Sequence, residues 1–196
     1  MTITTESATG STSDLIVDGV QLIGGEWVAS VTGRTIDVVN PANREVIARV
    51  PRSDEADVDL AIRAAERAFP AWRDLDASSR ARLIFRWADL VEERAAELDS
   101  LESQEVGRPS WGPPPMASQL RFIAGQADKV QGVSLPTRSP ESLGFTLREP
   151  YGVVGGVIPW NAPGPMFATE VGAAIAAGNT MVMKPAEDAP LTPLAL

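Results

Sequence analysis

The segment between residues 153 and 183 constrains the fold more than any other part of the sequence. It begins with a short uncharged run, Val153–Ile158, which is typical of a strand buried on both faces of a parallel sheet. An Ala-rich helical stretch, Met166–Ala177, follows and ends at Gly178-Asn179, and Thr180–Met183 is typical of a second strand. Together these elements span roughly 30 residues, the size of one βαβ unit. The pattern therefore predicts an α/β fold with parallel strands.

Two antiparallel hairpins are predicted near the start of the chain. Gly24-Gly25 separates Leu22-Ile23 from Trp27-Val28, an arrangement typical of two short strands joined by a glycine turn. Residues 36–38 and 46–50 alternate in hydrophobicity on either side of an Asn-Pro-Ala-Asn turn. This alternation predicts a second strand pair.

Three helices are predicted between the hairpins and the βαβ unit. The first begins behind Ser53-Asp54, and Pro70 either ends it or kinks it. The second runs from about Ser78 to Gly107, and the third from Met116 to Gly132. Their periodic apolar faces predict the core: Val58, Ile62, Ala65 and Phe69, then Leu83, Trp87, Leu90 and Arg94, then Met116, Leu120, Ile123, Ala127 and Val130. Residues 143–148 alternate weakly and favour one more strand.

The two ends of the sequence lead to separate expectations. Met1–Ser13 is rich in Ser and Thr and lacks the basic and apolar blocks of a signal peptide, so residues 1–18 are expected to be a disordered tail. No apolar run reaches the ~18 residues of a membrane span, and we expect a cytoplasmic protein. Leu191–Leu196 begins another helix, and two parallel strands do not complete a sheet. We therefore expect part of a longer protein or a truncated reading frame.

The composition excludes several kinds of site. The chain contains no cysteine and no histidine, which removes disulfides, thiol nucleophiles, Ser/His/Asp triads and ordinary zinc sites. We expect no metal site. The formal net charge of −9 makes nucleic acids and anionic membranes unfavourable partners. Any chemistry in this chain must use carboxylate, lysine, amide or backbone groups.

Two polar motifs follow the two strands of the βαβ unit, where ligands bind in open α/β sheets. After the first strand, the Asn161 amide is a candidate donor to an oxyanion, although the pattern alone favours an ordinary turn residue. After the second, Lys184 and Glu187 are candidates for contacts with a ribose, and a carboxylate there favours NAD over NADP. The pattern alone favours a solvated surface pair. Neither G-x-G-x-x-G nor a P-loop motif is present.

The two motifs resemble those of the aldehyde dehydrogenase superfamily. Residues 149–163 read EPYGVVGGVIPWNAP and residues 176–187 read AAGNTMVMKPAE, and both occur in the order and at the spacing of that family. Shorter segments at residues 23–28, 39–42 and 122–129 also resemble it. The resemblance covers nearly the whole chain after about residue 18, which corresponds to less than half of a typical member.

The resemblance implies oxidation of an aldehyde to a carboxylic acid with NAD, NADP being the less favoured cofactor. A cysteine thiolate attacks the carbonyl, hydride passes to the nicotinamide, and water hydrolyses the thioester with help from a glutamate. Asn161 is implied in the oxyanion hole. The implied cofactor site consists of Ile158, Pro159, Trp160, Asn161, Lys184, Ala186 and Glu187, with Lys184 and Glu187 at the adenine ribose.

The resemblance also implies a division of the chain. Residues 19–137 are the N-terminal strands and helices of the cofactor-binding domain, and residues 138–151 form an arm through which subunits associate. Residues 152–196 are the start of a Rossmann-like NAD-binding sheet. The complete protein is then expected to be a homodimer or homotetramer.

The sequence departs from the family pattern in ways that leave alternatives open. The glycine-rich cofactor segment, the nucleophilic cysteine and the general-base glutamate lie beyond the part of the family sequence that this chain matches, so the chain alone is expected to be inactive. Glu170 stands where many members carry lysine. Trp111 and Met116 either line the aldehyde tunnel or pack. A non-catalytic module that binds nucleotide or associates with subunits, and a related acyl-phosphate or acyl-thioester reductase, are the alternatives.

Overall fold

The computed structural model describes residues 18–110 and 112–196. The predicted disordered tail, residues 1–18, therefore lies outside the described residues except for Asp18, and so does Trp111. The strands are β1 (Gln21–Ile23), β2 (Glu26–Val28), β3 (Thr35–Val39), β4 (Val46–Pro51), β5 (Ser134–Leu135), β6 (Gly144–Phe145), β7 (Val153–Val157) and β8 (Thr180–Lys184). The helices are α1 (Glu55–Asp74), α2 (Ala77–Glu93), α3 (Ala95–Val106), α4 (Met116–Ala124), α5 (Pro163–Ala176) and α6 (Leu191–Ala195). Strands β1–β2, β3–β4 and β5–β6 pair antiparallel, and β7–β8 pair parallel.

Both predicted N-terminal hairpins are confirmed. Gly24 and Gly25 have φ angles of 63° and 85°, a left-handed conformation that glycine adopts without a steric penalty, and they connect β1 to β2. Between β3 and β4, the side chain of Asn40 accepts a hydrogen bond from the backbone N–H of Ala42 at 2.9 Å, which stabilises the turn. The second hairpin buries Val38 and Val50.

Helix α1 begins where the sequence predicts but continues past its proline. Asp54 accepts a hydrogen bond from the Ala56 N–H at 3.1 Å, and Asp57 accepts one from the Asp54 N–H, so the two carboxylates form a capping box. The alternative in which Pro70 ends the helix is wrong, because α1 continues to Asp74. Beyond the proline, Trp72 Nε1 donates to the carbonyl oxygen of Ile175 at 3.0 Å and holds the last turn against α5.

The face that α1 buries differs from the predicted one. Val58 and Ile62 are exposed, whereas Asp57 and Ala64 are buried. Ala65 is buried as predicted. The small alanines let the helix approach the parallel strands closely, and Thr180 Oγ1 of β8 donates to the carbonyl oxygen of Ala65 at 2.9 Å. The prediction of Val58 and Ile62 as core residues is therefore wrong, because the helix packs through its small side chains.

The single helix predicted from Ser78 to Gly107 is two helices. Arg94, with φ −106° and ψ 15°, interrupts the helical backbone between α2 and α3. Gly107 ends α3 as predicted, with φ 76° and no room for a Cβ atom beside Pro41. Leu83, Leu90 and Arg94 are exposed, so their assignment to the core is wrong. The buried residues of α2 are Ile84, Ala88 and Val91. Ile84 and Val91 each lie one position after a leucine that was expected in the core, Leu83 and Leu90.

The third predicted helix is shorter than expected. Helix α4 ends at Ala124 and Gly125 caps it, so the prediction that it continues to Gly132 is wrong. The predicted core residues Met116, Leu120 and Ala127 are buried, but Val130 is exposed because it lies beyond the last turn. Strand β6 is shorter than the predicted stretch 143–148, and its partner β5 was not predicted.

The βαβ unit is confirmed, with one correction. Strand β7 pairs with β8 from Val153↔Thr180 to Val157↔Lys184, and α5 connects them. The buried Asn179 amide accepts from the Gly152 N–H at 3.2 Å and donates to the Ala174 carbonyl oxygen at 3.1 Å, which joins the end of α5 to the start of β7. The expectation that β7 is buried on both faces is wrong in this chain, since Val157 is 75% exposed.

The core lies in two clusters. One is formed by α2, α4 and α5 together with Leu98 of α3, and the other by β3, β4, α3 and α6. Helix α1 contacts β7 and β8, which places α1 beside the parallel pair. The architecture is therefore the predicted α/β class. None of the helices in the described part of the chain has the length and hydropathy needed to cross a membrane.

Candidate functional site

The pairing of β7 and β8 brings two loops to one edge of the parallel pair. The strands end in register at Val157 and Lys184, and the next residue, Ile158, donates its N–H to the Lys184 carbonyl oxygen at 3.2 Å. The residues that follow, 159–161 and 185–187, therefore leave the same edge side by side. Carboxyl ends of parallel strands are where α/β proteins bind ligands.

The first loop, residues 159–161, presents its side chains to solvent. Ile158 is buried and anchors the loop, whereas Trp160 is 56% exposed and Pro159 and Asn161 are exposed as well. An exposed indole ring provides an apolar surface, and an exposed amide provides two N–H donors. The geometry places Asn161 where it can meet a ligand, and its role in an oxyanion hole stays a prediction.

The second loop, residues 185–187, lies next to an exposed ion pair. Lys184 Nζ donates to Glu187 Oε2 at 2.8 Å, and the side chains are 60% and 61% exposed. The hydrogen bond from Lys184 lowers the pKa of Glu187, so this carboxylate is ionised at neutral pH. An ion pair this exposed contributes little to stability. Its ammonium and carboxylate groups are the complementary donors and acceptors for sugar hydroxyls.

The first turn of α5, directly behind the first loop, is held by a residue that the sequence analysis missed. Gly164 donates its N–H to Glu102 Oε2 at 3.1 Å, across 62 residues of sequence. Ala162, the residue that precedes the helix, makes no capping hydrogen bond with its side chain. Glu102 of α3 therefore takes the place of a local cap.

Glu102 belongs to a row of three buried carboxylates on α3. Arg108 contacts Asp99 at 2.7 Å and Glu102 at 3.2 Å, and Glu105 accepts hydrogen bonds from the N–H groups of Leu191 and Thr192 at 2.6 and 2.9 Å. The sequence signal was acidic residues at steps of three in a helix that also carries buried leucines. These carboxylates were not predicted as site residues, because buried carboxylates are uncommon unless they are paired.

The electrostatics of the three carboxylates differ. Burial raises the pKa of Glu105 to about 7 against the opposing hydrogen bonds from Thr192 and Leu191. Burial also raises the pKa of Glu102, and the Arg108 charge opposes it only in part. Burial pushes the pKa of Asp99 upward too, but hydrogen bonds from Ser110 and Arg108 outweigh it and leave that pKa below its usual value.

Two further residues considered in the sequence analysis have defined positions. Met116 is buried in the cluster formed by α2, α4 and α5, so it packs in this chain. Glu170 lies on α5 and is half-buried. In the described ranges, no group of three or more Asp or Glu side chains is arranged to hold a metal ion.

Comparisons with known proteins agree with the resemblance. The profile of the aldehyde dehydrogenase family matches residues 27–196. Aldehyde dehydrogenase 1 of Tanacetum cinerariifolium is 43% identical over 183 residues, covering 88% of this chain and 36% of that protein. The mitochondrial aldehyde dehydrogenase of Leishmania tarentolae is 44% identical over 180 residues, covering 89% and 36%.

Solved structures give the same result. The NAD+ complex of an aldehyde dehydrogenase from Bacillus cereus superposes with a TM-score of 0.89 at 37% identity, covering 96% of this chain and 40% of that one. The chain thus spans 36% of the length of the curated relatives described above.

Proposed function

Because the chain belongs to the aldehyde dehydrogenase family, we propose that it forms the first part of the cofactor-binding domain of an enzyme that oxidises an aldehyde to a carboxylic acid. The observation that carries this proposal is the hydrogen bond between the Ile158 N–H and the Lys184 carbonyl oxygen. It brings the loop that carries an exposed indole and amide alongside the loop of an exposed ammonium–carboxylate pair. Both loops leave the carboxyl edge of the parallel strands, where α/β proteins bind ligands.

The proposed cofactor is NAD, held by both loops. The residues involved are Ile158, Pro159, Trp160, Asn161, Lys184, Ala186 and Glu187. Lys184 donates to hydroxyls of the adenine ribose and Glu187 accepts from them, which fits the donor and acceptor groups present at this edge. The ionised Glu187 repels the 2′-phosphate of NADP and so favours NAD. The NAD+ complex of the Bacillus cereus aldehyde dehydrogenase supports a nicotinamide dinucleotide as the cofactor.

In the proposed reaction, the Asn161 amide donates a hydrogen bond to the aldehyde oxygen as negative charge develops on it. NAD, when bound, supplies the acceptor for the hydride. The chain contains no cysteine, so the attacking thiolate is not supplied by these 196 residues. The role of this chain is to bind the cofactor and to stabilise the oxyanion.

We also propose that residues 138–151 form the arm of a homo-oligomer, with a homodimer or homotetramer as the assembly. Support comes from a group of exposed apolar side chains in and beside the β5–β6 hairpin: Leu135, Leu143, Phe145, Leu147 and Tyr151, the last 97% exposed. A concentration of apolar surface like this is characteristic of association sites. The same observation favours the second candidate function, a non-catalytic module that associates with full-length subunits.

Titration of the chain with NAD tests the cofactor site. We expect binding by calorimetry, and Lys184→Ala should weaken it by about tenfold, since a hydrogen bond from a charged group is lost. Lys129→Ala is the matched control, because Lys129 is also exposed and pairs with a neighbouring acid but lies after α4. Equal losses in the two variants, or no binding by the unmodified chain, would contradict the site.

Incubation of the same chain with NAD and an aldehyde tests whether the chain can catalyse the reaction without a cysteine. We expect no aldehyde-dependent formation of NADH, measured by absorbance, because no thiolate is present. Turnover by the purified chain would show that the missing cysteine is not essential.

A further inference from the structure

The first turn of α5 depends on a partner from elsewhere in the chain. Helices leave their first backbone N–H groups without intrahelical acceptors. In α5 the first and third residues, Pro163 and Pro165, have no N–H, so Gly164 carries the only such donor among the first three residues. The single donor is buried, and a buried donor left without an acceptor is costly.

Glu102 of α3 supplies that acceptor from a fixed position. Its side chain is 3% exposed, and the other carboxylate oxygen accepts from Arg108 Nε at 3.2 Å. Arg108 is held in turn by Asp99 at 2.7 Å. The carboxylate that meets α5 is therefore fixed from both sides.

The contact between α3 and α5 is also sterically tight. A Cβ atom on Gly164 would lie 2.6 Å from Glu102 Oε2 and 2.6 Å from Met116 Sδ. Only glycine allows the backbone of α5 to come this close to the carboxylate. The chain leaves this point through Pro163 and Ala162 directly into the exposed loop of Trp160 and Asn161, so the anchor lies three residues from the proposed oxyanion donor.

We propose that Glu102 is a positioning residue for Asn161: its hydrogen bond to Gly164 sets where α5 begins and thereby where the Asn161 amide points. This inference rests on the proposed function, which gives Asn161 its role. Glu102 is buried and acts through the backbone of α5.

Two conservative variants separate this role from simple neutralisation of Arg108. Glu102→Gln keeps one acceptor oxygen at the same reach for the Gly164 N–H, but it loses the charge and places an NH2 donor where the second oxygen accepts from Arg108. Glu102→Asp keeps the charge but withdraws the carboxylate by about one carbon–carbon bond, ~1.5 Å. If Glu102 positions α5, Glu102→Gln preserves the geometry of the loop and Glu102→Asp disturbs it. If Glu102 only balances Arg108, the order is reversed.

The readouts are the NMR signals of the Trp160 indole and the Asn161 side-chain amide, together with amide exchange at Gly164, in the labelled 196-residue chain. We expect Glu102→Asp to shift both signals and to reduce Gly164 protection by about tenfold, with Glu102→Gln close to wild type. Glu105→Asp is the matched control. It alters a neighbouring buried carboxylate that binds the start of α6, so it should expose the Leu191 and Thr192 amides without moving Asn161.

Unchanged signals in Glu102→Asp, or equal shifts in Glu105→Asp, would overturn the proposal. If Glu102→Asp does not fold, a scalar coupling across the hydrogen bond between the Gly164 nitrogen and the Glu102 carboxyl carbon of the wild-type chain decides the matter, and its absence overturns the proposal.

NAD affinity is measured in parallel, and we expect it to fall in Glu102→Asp only. A wild-type chain that fails to bind NAD refutes the cofactor site while the signals of Asn161 still report on Glu102.

Discussion

At the scale of single residues, the meaning of Lys184 and Glu187 depends on their surroundings. Their 2.8 Å contact is the same in a solvated surface pair and in a ribose-binding pair. What distinguishes the two interpretations is the neighbouring loop with Trp160 and Asn161, which the strand register brings alongside. Carboxyl edges of parallel strands are the usual ligand-binding position in α/β proteins, so this location favours the proposed ribose-binding pair over a solvated surface pair.

The discrimination between NAD and NADP is expected to depend on the charge of Glu187. Glu187→Gln removes a carboxylate that is ionised at neutral pH, so the affinity for NADP should rise by about threefold to tenfold, as expected for one exposed charge. Titrations with both dinucleotides at low ionic strength measure this change. Asp188→Asn removes the same charge one residue away and serves as the control. A rise in NADP affinity of equal size in both variants would assign the effect to net charge rather than to Glu187.

At the scale of elements, the sequence predicts some features better than others, for physical reasons. The hairpins and the βαβ unit were predictable because glycine turns and uncharged strands are local signals. The buried faces of α1 and α2 were not, because α1 packs through alanines such as Ala64 rather than through Val58 and Ile62. The anchoring of α5 by Glu102 joins residues far apart in sequence, so no local pattern could reveal it.

The join between α5 and β7 is expected to be a large contributor to stability. Asn179→Ala removes both hydrogen bonds of a buried amide and leaves the Gly152 N–H without its acceptor, so the free energy of unfolding should fall by ~2 kcal/mol. Urea unfolding followed by circular dichroism measures the loss. Asn43→Ala is the control, since its side chain makes its two hydrogen bonds in an exposed turn, and we expect less than half that effect. Similar losses would mean that burial of the amide does not matter.

At the scale of the whole molecule, α3 connects parts of the chain that are far apart in sequence. Its carboxylates meet the starts of α5 and α6, the two helices that follow the candidate loops. Leu101, on the same helix, packs with Val38 of the second hairpin. The N-terminal strands, the long helices and the parallel pair are thereby joined through one helix whose buried surface is both apolar and charged. The ionisation of these buried carboxylates should therefore affect the stability of the whole chain.

The pH dependence of stability is expected to report on Glu105. Burial raises its pKa from 4.5 to about 7 in the folded chain, so the folded state binds a proton that the unfolded state has already released. The stability associated with this proton is complete below about pH 4.5 and is lost as the pH rises through about 7. Glu105→Gln should remove this contribution, so its urea midpoint should fall less steeply between pH 5 and pH 7.5 than the wild-type midpoint. The raised pKa of Glu102 accounts for the smaller slope that remains.

The control for this prediction is Glu97→Gln, which removes the same charge from the exposed side of α3 and should keep the wild-type slope. The outcome shows which of two opposing effects on the pKa of Glu105 is larger. Its short contacts with the Leu191 and Thr192 N–H groups favour the ionised form, while its burial favours the neutral form. The opposite result would be a wild-type midpoint that rises with pH and a Glu105→Gln midpoint that does not. It would mean that the backbone donors of α6 outweigh burial and that Glu105 is ionised in the folded chain.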